Sequence, residues 1–573
     1  MLLSPEPPET TTPSPELASR KRDGCRLPVR PSRRLAPARP LLRAGQGGRG
    51  HRRALAAVAL AVAHVGAVNL DSRSYGRRLS VAMREGFFHG AEAALAAARI
   101  PLRRLTFHVE LEAVAHQEVA TFLSRREDGS EHDMVGAVLS NPAARRVEEL
   151  HVAALRSGCV AGYTGGFYKL SYCALRSEAL RVLHITNCSD LAPAPPAAAA
   201  AAFPRLAELR LQGCEVSPVG LQGMINAAPQ LATLHLECIY LSDDDDGEEE
   251  PQASGSPARR APSYRLRCAA VTALVLANCR CPCWVHGGVE LDVPRLRYLS
   301  FKGFVCDERL SLISRASELG RVDLHFVDHV SRGDDRVRVP FWRFLRESNF
   351  NNTKVLKLKL DYPIDHIAVA EKEGDWDELL GSKLFHDLQH LELEVTYCPS
   401  SNTPALAMAN LLYCCPVVCD LRLKLSKVSN GSRPRLSPSD LRCFAETKSQ
   451  LNFKESVDRF KHRRILSAAD EDENYDEVSN IPGLSERSFN CLEKYLRRVS
   501  LQFRMGTTVN CFGAQLAKFF TENAVALEEM YIDDGNHRIC GHLSRKVGRW
   551  TANLSKRRNL TNAKGFIVLP HET

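Results

Sequence analysis

Apolar residues recur along most of the chain in one short pattern: apolar, two residues, apolar, one residue, apolar. A cysteine or another apolar residue often follows three positions later, as in Leu180-x-x-Leu183-x-Ile185-x-x-Cys188. Alternation of apolar and polar residues within each copy is typical of a short strand with one buried face. The other clear copies begin at Leu206, Leu231, Val271 and Leu296. Looser copies begin at Leu319, Val355, Leu388, Val418, Leu496 and Leu527.

The spacing of the clear copies is 26, 25, 40 and 25 residues, which is the period of leucine-rich repeats apart from the one long interval. That interval holds an acidic, Ser/Pro-rich insert at residues 242–264, which we expect to be disordered because it cannot bury apolar surface. A strand–helix unit of this length must stack on its neighbours to cover its apolar face. The sequence therefore predicts an α/β leucine-rich-repeat solenoid, or horseshoe; unrelated βα units are the alternative.

One return segment between two strands shows clear helix signals. Ser217 suits the N-cap, Pro218 suits the first helical position, and Pro229 ends the helix. The apolar residues between them follow helical spacing: Leu221, Met224, Ile225 and Ala228. A second amphipathic helix carries Phe512, Leu516, Phe519, Phe520 and Ala524, and we expect it to pack in the core.

The nineteen cysteines are scattered along the chain, and no signal-peptide pattern precedes them, so free thiols in a reducing compartment are expected. Cys188, Cys214 and Cys279 occupy the ninth repeat position, which indicates buried structural thiols. Cys279, Cys281, Cys283 and His286 have zinc-ligand chemistry, but their spacing is tighter than a regular C-x-x-C pair. An incidental cluster at the end of a strand is the favoured interpretation, and no metal or cofactor is predicted.

Net charge is +9, with 76 Lys and Arg against 67 Asp and Glu, but the excess is local. Residues 24–70 contain nine arginines and no lysine or acid, so the remainder of the chain is neutral. This distribution argues against a nucleic-acid-binding body. The longest apolar run, residues 54–63, is too short to span a bilayer, so no membrane partner is predicted either.

Polar residues between the repeat leucines are predicted to point outward from the strands. A solenoid uses this face to bind partners, although a merely solvated face has the same composition. The candidate partner-binding residues are Glu208, Arg210, Thr233, His235, Tyr298, Ser300 and Lys302. Histidines such as His151 and His184 fall beside repeat leucines, but no nucleophile motif accompanies them, so no enzyme is predicted.

Several segments resemble plant F-box/leucine-rich-repeat proteins, particularly those of grasses. The segments at 147–152, 180–183, 203–206 and 227–237 carry this likeness, and residues 490–532 resemble the C-terminal FBD-type module of that family. The resemblance implies a substrate receptor of an SCF-type cullin–RING ubiquitin ligase in the cytoplasm, the nucleus or both. Its partners would be target proteins, a Skp-type adaptor and a cullin, and the transfer chemistry would belong to other subunits.

The F-box that the family implies is not legible near the N-terminus. Leu27-Pro28 is followed by Val29-Arg30 rather than acids, and the first tryptophan of the chain is Trp284. An F-box exon translated out of frame and a naturally diverged, disordered head remain two open explanations. A leucine-rich-repeat interaction protein without a ligase role is therefore the alternative function.

These observations divide the chain into five predicted segments. They are a disordered Arg/Ala/Pro-rich head at 1–66, an entry segment at 67–146, leucine-rich repeats at 147–465, an acidic linker at 466–487 and an FBD-like module at 488–573 that continues the stack.

Overall fold

We analysed a computed structural model of the chain. The structure describes residues 66–75, 81–97, 102–111, 123, 134–142, 144–156, 168–171, 178–192, 202–241, 264–279, 288–304, 310–314, 316–327, 338–348, 350–370, 380, 384–398, 403–428, 478–485, 487–504, 511–533, 546–551 and 567–569. All of them lie in one compact unit, Leu42–Thr573. The predicted head at 1–66 lies outside the described residues except for Gly66, as do the insert at 242–263 and linker residues 466–477.

Strands dominate the described part of the chain. In chain order they are β1 Ala67–Asp71, β2 Arg104–Leu111, β3 Glu149–Arg156, β4 Tyr168–Ser171, β5 Val182–Thr186, β6 Cys188–Ala192, β7 Glu208–Gln212, β8 Glu215–Val216, β9 Thr233–Glu237, β10 Tyr240–Leu241 and β11 Tyr264–Arg267. They continue as β12 Ala273–Ala277, β13 Val289–Asp292, β14 Tyr298–Gly303, β15 Leu310–Leu312, β16 Arg321–Phe326, β17 Val355–Pro363, β18 His390–Tyr397, β19 Asp420–Lys427, β20 Arg498–Phe503, β21 Glu529–Asp533 and β22 Ile567–Leu569.

The helices with described bounds are fewer. They are α1 Val81–Ala97, α2 Met134–Leu139, α3 Pro218–Asn226, α4 Arg338–Glu347, α5 Thr403–Cys414, α6 Asn490–Lys494 and α7 Phe512–Asn523. Within the described residues, no helix is long and apolar enough to cross a membrane.

Fifteen strands form one parallel sheet whose order follows the chain: β1-β2-β3-β5-β7-β9-β12-β14-β16-β17-β18-β19-β20-β21-β22. Short strands that follow or precede them form smaller sheets, such as β11-β13-β15. Parallel neighbours need a crossover between them, and the chain supplies one in every repeat. The predicted α/β class is confirmed, and β1 and β2 show that the main sheet already begins within the predicted entry segment.

The repeat pattern marks the strands correctly at ten of the eleven predicted copies. In each, the second and third apolar residues point into the core, as Leu209 and Leu211 do in β7. The copy read from Val355 is offset by two residues. Register pairs Leu356 with Val322 and Leu358 with Leu324, so Thr353 holds the first apolar position. Thr353 is fully buried. Because threonine is polar, the sequence pattern assigned the first apolar position of this copy to Val355 instead.

A left-handed residue follows four consecutive main-sheet strands. Asn187, Gly213, Cys238 and Asn278 have φ between 50° and 63°, a region that Gly and Asn tolerate better than other residues. The first three amides donate to the last carbonyl of the next main-sheet strand, as Asn187 N–H does to Gln212 O at 2.7 Å, and Asn278 N–H donates to Lys302 O, one residue before the end of β14, at 2.6 Å. These hydrogen bonds link each of the four repeats to the next one. After Asn187, Gly213 and Cys238 the chain enters the short strands β6, β8 and β10.

The predicted ninth-position thiols are buried, as expected. None of Cys188, Cys214 and Cys279 forms a disulfide, and the Cys214 Sγ donates to Ile185 O at 3.6 Å. Cys279 Sγ makes the same contact with Leu236 O at 3.4 Å. Each of these two thiols therefore lies against a carbonyl of the preceding main-sheet strand.

Both predicted helices are confirmed. Ser217 caps α3, its hydroxyl accepting from Gly220 N–H at 3.1 Å, and Pro218 is the first helical residue. The predicted apolar residues of α3 are all buried. In α7, Leu516, Phe519 and Phe520 are buried against the sheet, and the Thr521 hydroxyl lies 3.9 Å from Met530 Sδ.

Candidate functional site

Outward residues of the main sheet form the outer face, a surface of half-exposed side chains between the buried leucines. In β7 and β9, alternate residues are buried and partly exposed, and β12 follows the same pattern except that Ala277 is buried as well. Because the strands pair in register, outward residues align in three rows across the sheet. Over strands β5, β7, β9, β12, β14 and β16 the rows run as follows. The first row is Val182, Glu208, Thr233, Ala273, Tyr298 and Arg321; the second is His184, Arg210, His235, Val275, Ser300 and Asp323; the third is Thr186, Gln212, Glu237, Ala277, Lys302 and His325.

The structure places all seven sequence-predicted residues on this one face. Three stand in the first row, three in the second and one in the third. They do not form one continuous patch, however, because β12 separates the members on β7 and β9 from those on β14.

Two partly exposed residues that the sequence reasoning missed, Ala273 and Val275, complete the site, whereas Ala277 in the third row is buried. Ala273, Val275 and Ala277 lie on β12 between the two groups, with Val275 directly between His235 and Ser300. Their positions in the repeat are the same as those of the predicted residues, so the repeat register was the signal that could have found them. They were missed because a search for polar residues passes over Ala and Val.

Polar groups on the β5–β9 side of the face are already partnered. His184 Nε2 lies 2.8 Å from Glu208 Oε1, and one Arg210 Nη lies 3.3 Å from Glu237 Oε2. His235 Nε2 lies 3.4 Å from the same carboxylate oxygen. The hydrogen bond from His235, together with the charge of Arg210, lowers the pKa of Glu237, so this carboxylate is held ionised.

Charges on the β14–β19 side are likewise paired across strands. The Tyr298 hydroxyl donates to Asp323 at 3.0 Å, and Arg321 Nε donates to the same carboxylate at 2.9 Å. Further along, cross-strand pairs join Lys357 to Glu392, Lys359 to Glu394 and Lys424 to Glu394, at 2.6, 3.1 and 3.3 Å. The hydrogen bond that Lys357 donates to Glu392 raises the pKa of Lys357, which keeps this pair charged.

Lys302 differs from these residues. Within the described part of the chain, the structure gives no ion pair to its ammonium group. Its charge is felt at Asp361: burial works to raise the pKa of that carboxyl, but His325, Lys359 and Lys302 together lower it. Lys302 therefore stands at the edge of the β12 stretch as a cation with room for a partner.

Chemistry of other kinds finds little support among the described residues. They hold no group of three His, Cys, Asp or Glu side chains placed to bind a metal. Of the four residues with zinc-ligand chemistry, Cys279 donates a hydrogen bond from its thiol to the Leu236 carbonyl. Cys281, Cys283 and His286 lie outside the described residues. Burial raises the pKa of Cys214 to about 11, which suits a structural thiol and not a nucleophile.

Comparison with known proteins gives one match. Residues 135–243 match the family model described as "FBD-associated F-box protein At5g56370, LRR repeats". No curated protein matches the chain. The matched residues contain β3, β5, β7 and β9, and so four of the seven predicted site residues. This match and the in-register repeat strands support an F-box/leucine-rich-repeat protein with a role in protein interaction.

Proposed function

We propose that this chain is the protein-recognition subunit of an SCF-type cullin–RING ubiquitin ligase. Its leucine-rich repeats, stacked as a solenoid, bind target proteins, and an N-terminal segment engages a Skp-type adaptor, which in turn contacts the cullin. The observation that carries the proposal is the outer face: one parallel sheet presents aligned rows of outward side chains, and four of its strands lie within the residues 135–243 that match F-box-protein repeats. A rigid, regular surface of this kind suits protein recognition.

Several features favour this non-enzymatic role. Most charged groups of the outer face pair with one another, with Lys302 as the exception described above, and no nucleophile–base pair is present among the residues predicted for the site. The free, buried cysteines agree with a reducing compartment, so we place the protein in the cytoplasm, the nucleus or both. The plant origin and the FBD-like module at 488–573 belong to the same proposal and rest on the sequence resemblance.

A second candidate is a leucine-rich-repeat interaction protein without a ligase role. It is favoured by the sequence of the head, because the head contains no tryptophan and because Leu27-Pro28 is directly followed by Val29-Arg30 and not by acidic residues. Such a protein would bind the same targets through the same outer face without delivering them to a ligase.

Co-precipitation of the purified full-length chain with a Skp-type adaptor and a cullin separates the two candidates. The ligase proposal expects a stable complex, and it expects the outer-face variant Val275→Asp to bind the adaptor as well as the unmodified chain does. Failure of the full chain to bind the adaptor would refute the ligase role and leave the second candidate. Loss of adaptor binding in Val275→Asp alone would contradict the assignment of the outer face to targets.

A further inference from the structure

The outer face contains one stretch where side chains are small and apolar. We call this stretch the central trough; its floor is the partly exposed Ala273 and Val275 of β12 with Ser300 of β14, while Ala277 at its end is already buried. Taller side chains bound it on both sides in the second row, His235 on β9 and Asp323 on β16. Three strand spacings separate these two walls, or about 14 Å.

Burial energetics favour the trough over the rest of the face. Covering its floor removes apolar surface from water, worth about 25 cal/mol per Å². Covering the flanking ion pairs, such as Arg210–Glu237 or Lys357–Glu392, would desolvate charges that already have partners and gain little in return. A partner that binds this face is therefore expected to be anchored at β12.

Backbone geometry restricts the form that the partner takes. β12 is hydrogen-bonded to β9 on one side and to β14 on the other, so an extended segment cannot add to it as a strand. A segment that satisfies its own backbone hydrogen bonds meets this requirement, and an α-helix with its side chains is about 10–12 Å wide. A helix that lies on the face over β12 would cover Ala273 and Val275 and bring its side chains beside Lys302 on the neighbouring strand.

Charge then defines the chemistry of that helix. Lys302 stands in the third row beside Ala277, and among the described residues its ammonium group has no ion pair. The nearest acid across the trough, Glu237, is held by Arg210 and His235. A carboxylate of the partner would form an ion pair with Lys302, whereas a basic side chain would be repelled by it.

We propose that the central trough binds an amphipathic helix of a partner protein, with an apolar stripe on Val275 and a carboxylate on Lys302. This inference rests on the proposed role in protein recognition and specifies the kind of segment that is recognised. It does not depend on adaptor binding.

The test uses a phage-displayed library of helical peptides with one randomised face, selected on the full-length chain. We expect enriched peptides to combine apolar residues at helical spacing with an Asp or Glu. Val275→Asp should weaken binding of an enriched peptide by about 30-fold, the size of an interface hot spot. Selection on Lys302→Glu should replace the acid by Lys or Arg, a result that a misfolded variant cannot give. Val525→Asp, the same change at an exposed valine before β21, is the control and should leave binding unchanged.

Two outcomes would overturn the proposal: no peptide is enriched, or the enriched peptides bind the Val275 and Lys302 variants as tightly as the unmodified chain. Adaptor binding without peptide enrichment would reject the trough and spare the ligase role. Enrichment without adaptor binding would do the reverse.

Discussion

The imidazole rings of His151 and His184 lie side by side on neighbouring strands β3 and β5, with centroids 4.2 Å apart and planes tilted by 40°. Burial lowers the pKa of His151 to about 4, and repulsion from a protonated His184 acts in the same direction. The folded protein therefore keeps His151 neutral at a pH where an exposed histidine takes up a proton.

This pair predicts a pH-dependent loss of stability. Unfolded His151 titrates near its ordinary pKa of about 6.5, so the unfolded state binds more protons as pH falls from there to about 4. The free energy of unfolding should therefore fall as pH drops through that window. It should fall less in the His151→Asn variant than in the unmodified chain. Urea unfolding midpoints at about pH 7 and about pH 5 measure the difference. His89→Asn, at an exposed histidine on α1, is the control; equal pH dependence in all three chains would contradict the prediction.

The thiols at the ninth repeat position should react very slowly with alkylating reagents in the folded protein. Burial raises the pKa of Cys214 to about 11 and closes access to reagent, so alkylation by iodoacetamide near neutral pH should be at least about 100-fold slower than at an exposed thiol. Mass spectrometry of the labelled peptides measures this, with the partly exposed Cys419 as the internal comparison. Both thiols should react alike after denaturation. Rapid native labelling of Cys214 would show that it does not hold the Ile185 carbonyl.

Strand positions could be predicted from the sequence because a two-residue alternation leaves few alternatives for a buried face. Thr353 shows where that reasoning fails: a buried threonine takes an apolar position, and the nearest apolar residue, Val355, shifts the frame by two. The shift leaves the outward residues outward, since strand faces repeat every two residues. Lys357, which lies in the misaligned copy, therefore still faces outward.

The candidate site was less predictable for a physical reason. Outward polar residues such as Arg210 and Glu237 look available in the sequence, but they bind each other across strands, and only the register shows this. The small apolar residues of β12 form a recognisable stretch only because taller side chains stand on β9 and β16, which lie about 40 and 48 residues away in the chain. A single repeat read alone contains neither fact.

Adjacent residues of β9 should respond in opposite ways to truncation. Leu234 is fully buried, so Leu234→Ala should lower the free energy of unfolding by about 2–5 kcal/mol. Thr233 points outward, and Thr233→Ala should change it by no more than about 0.5 kcal/mol. Chemical denaturation of the two variants under identical conditions provides the comparison. Similar losses of unfolding free energy at both positions would show that Thr233 is buried in the free chain and that the outer face is not exposed to solvent.

Two helical glycines offer a matched test of packing. At Gly223, in α3, an added Cβ would meet nothing within 4 Å, so Gly223→Ala should stabilise the protein by about 0.5–1 kcal/mol through helix propensity. At Gly513, in α7, the same methyl would overlap the Phe503 ring of β20. That overlap should cost about 1–3 kcal/mol because α7 or the ring must move. Thermal unfolding of both variants should give shifts of opposite sign, and a neutral Gly513→Ala would mean that α7 does not pack directly on Phe503.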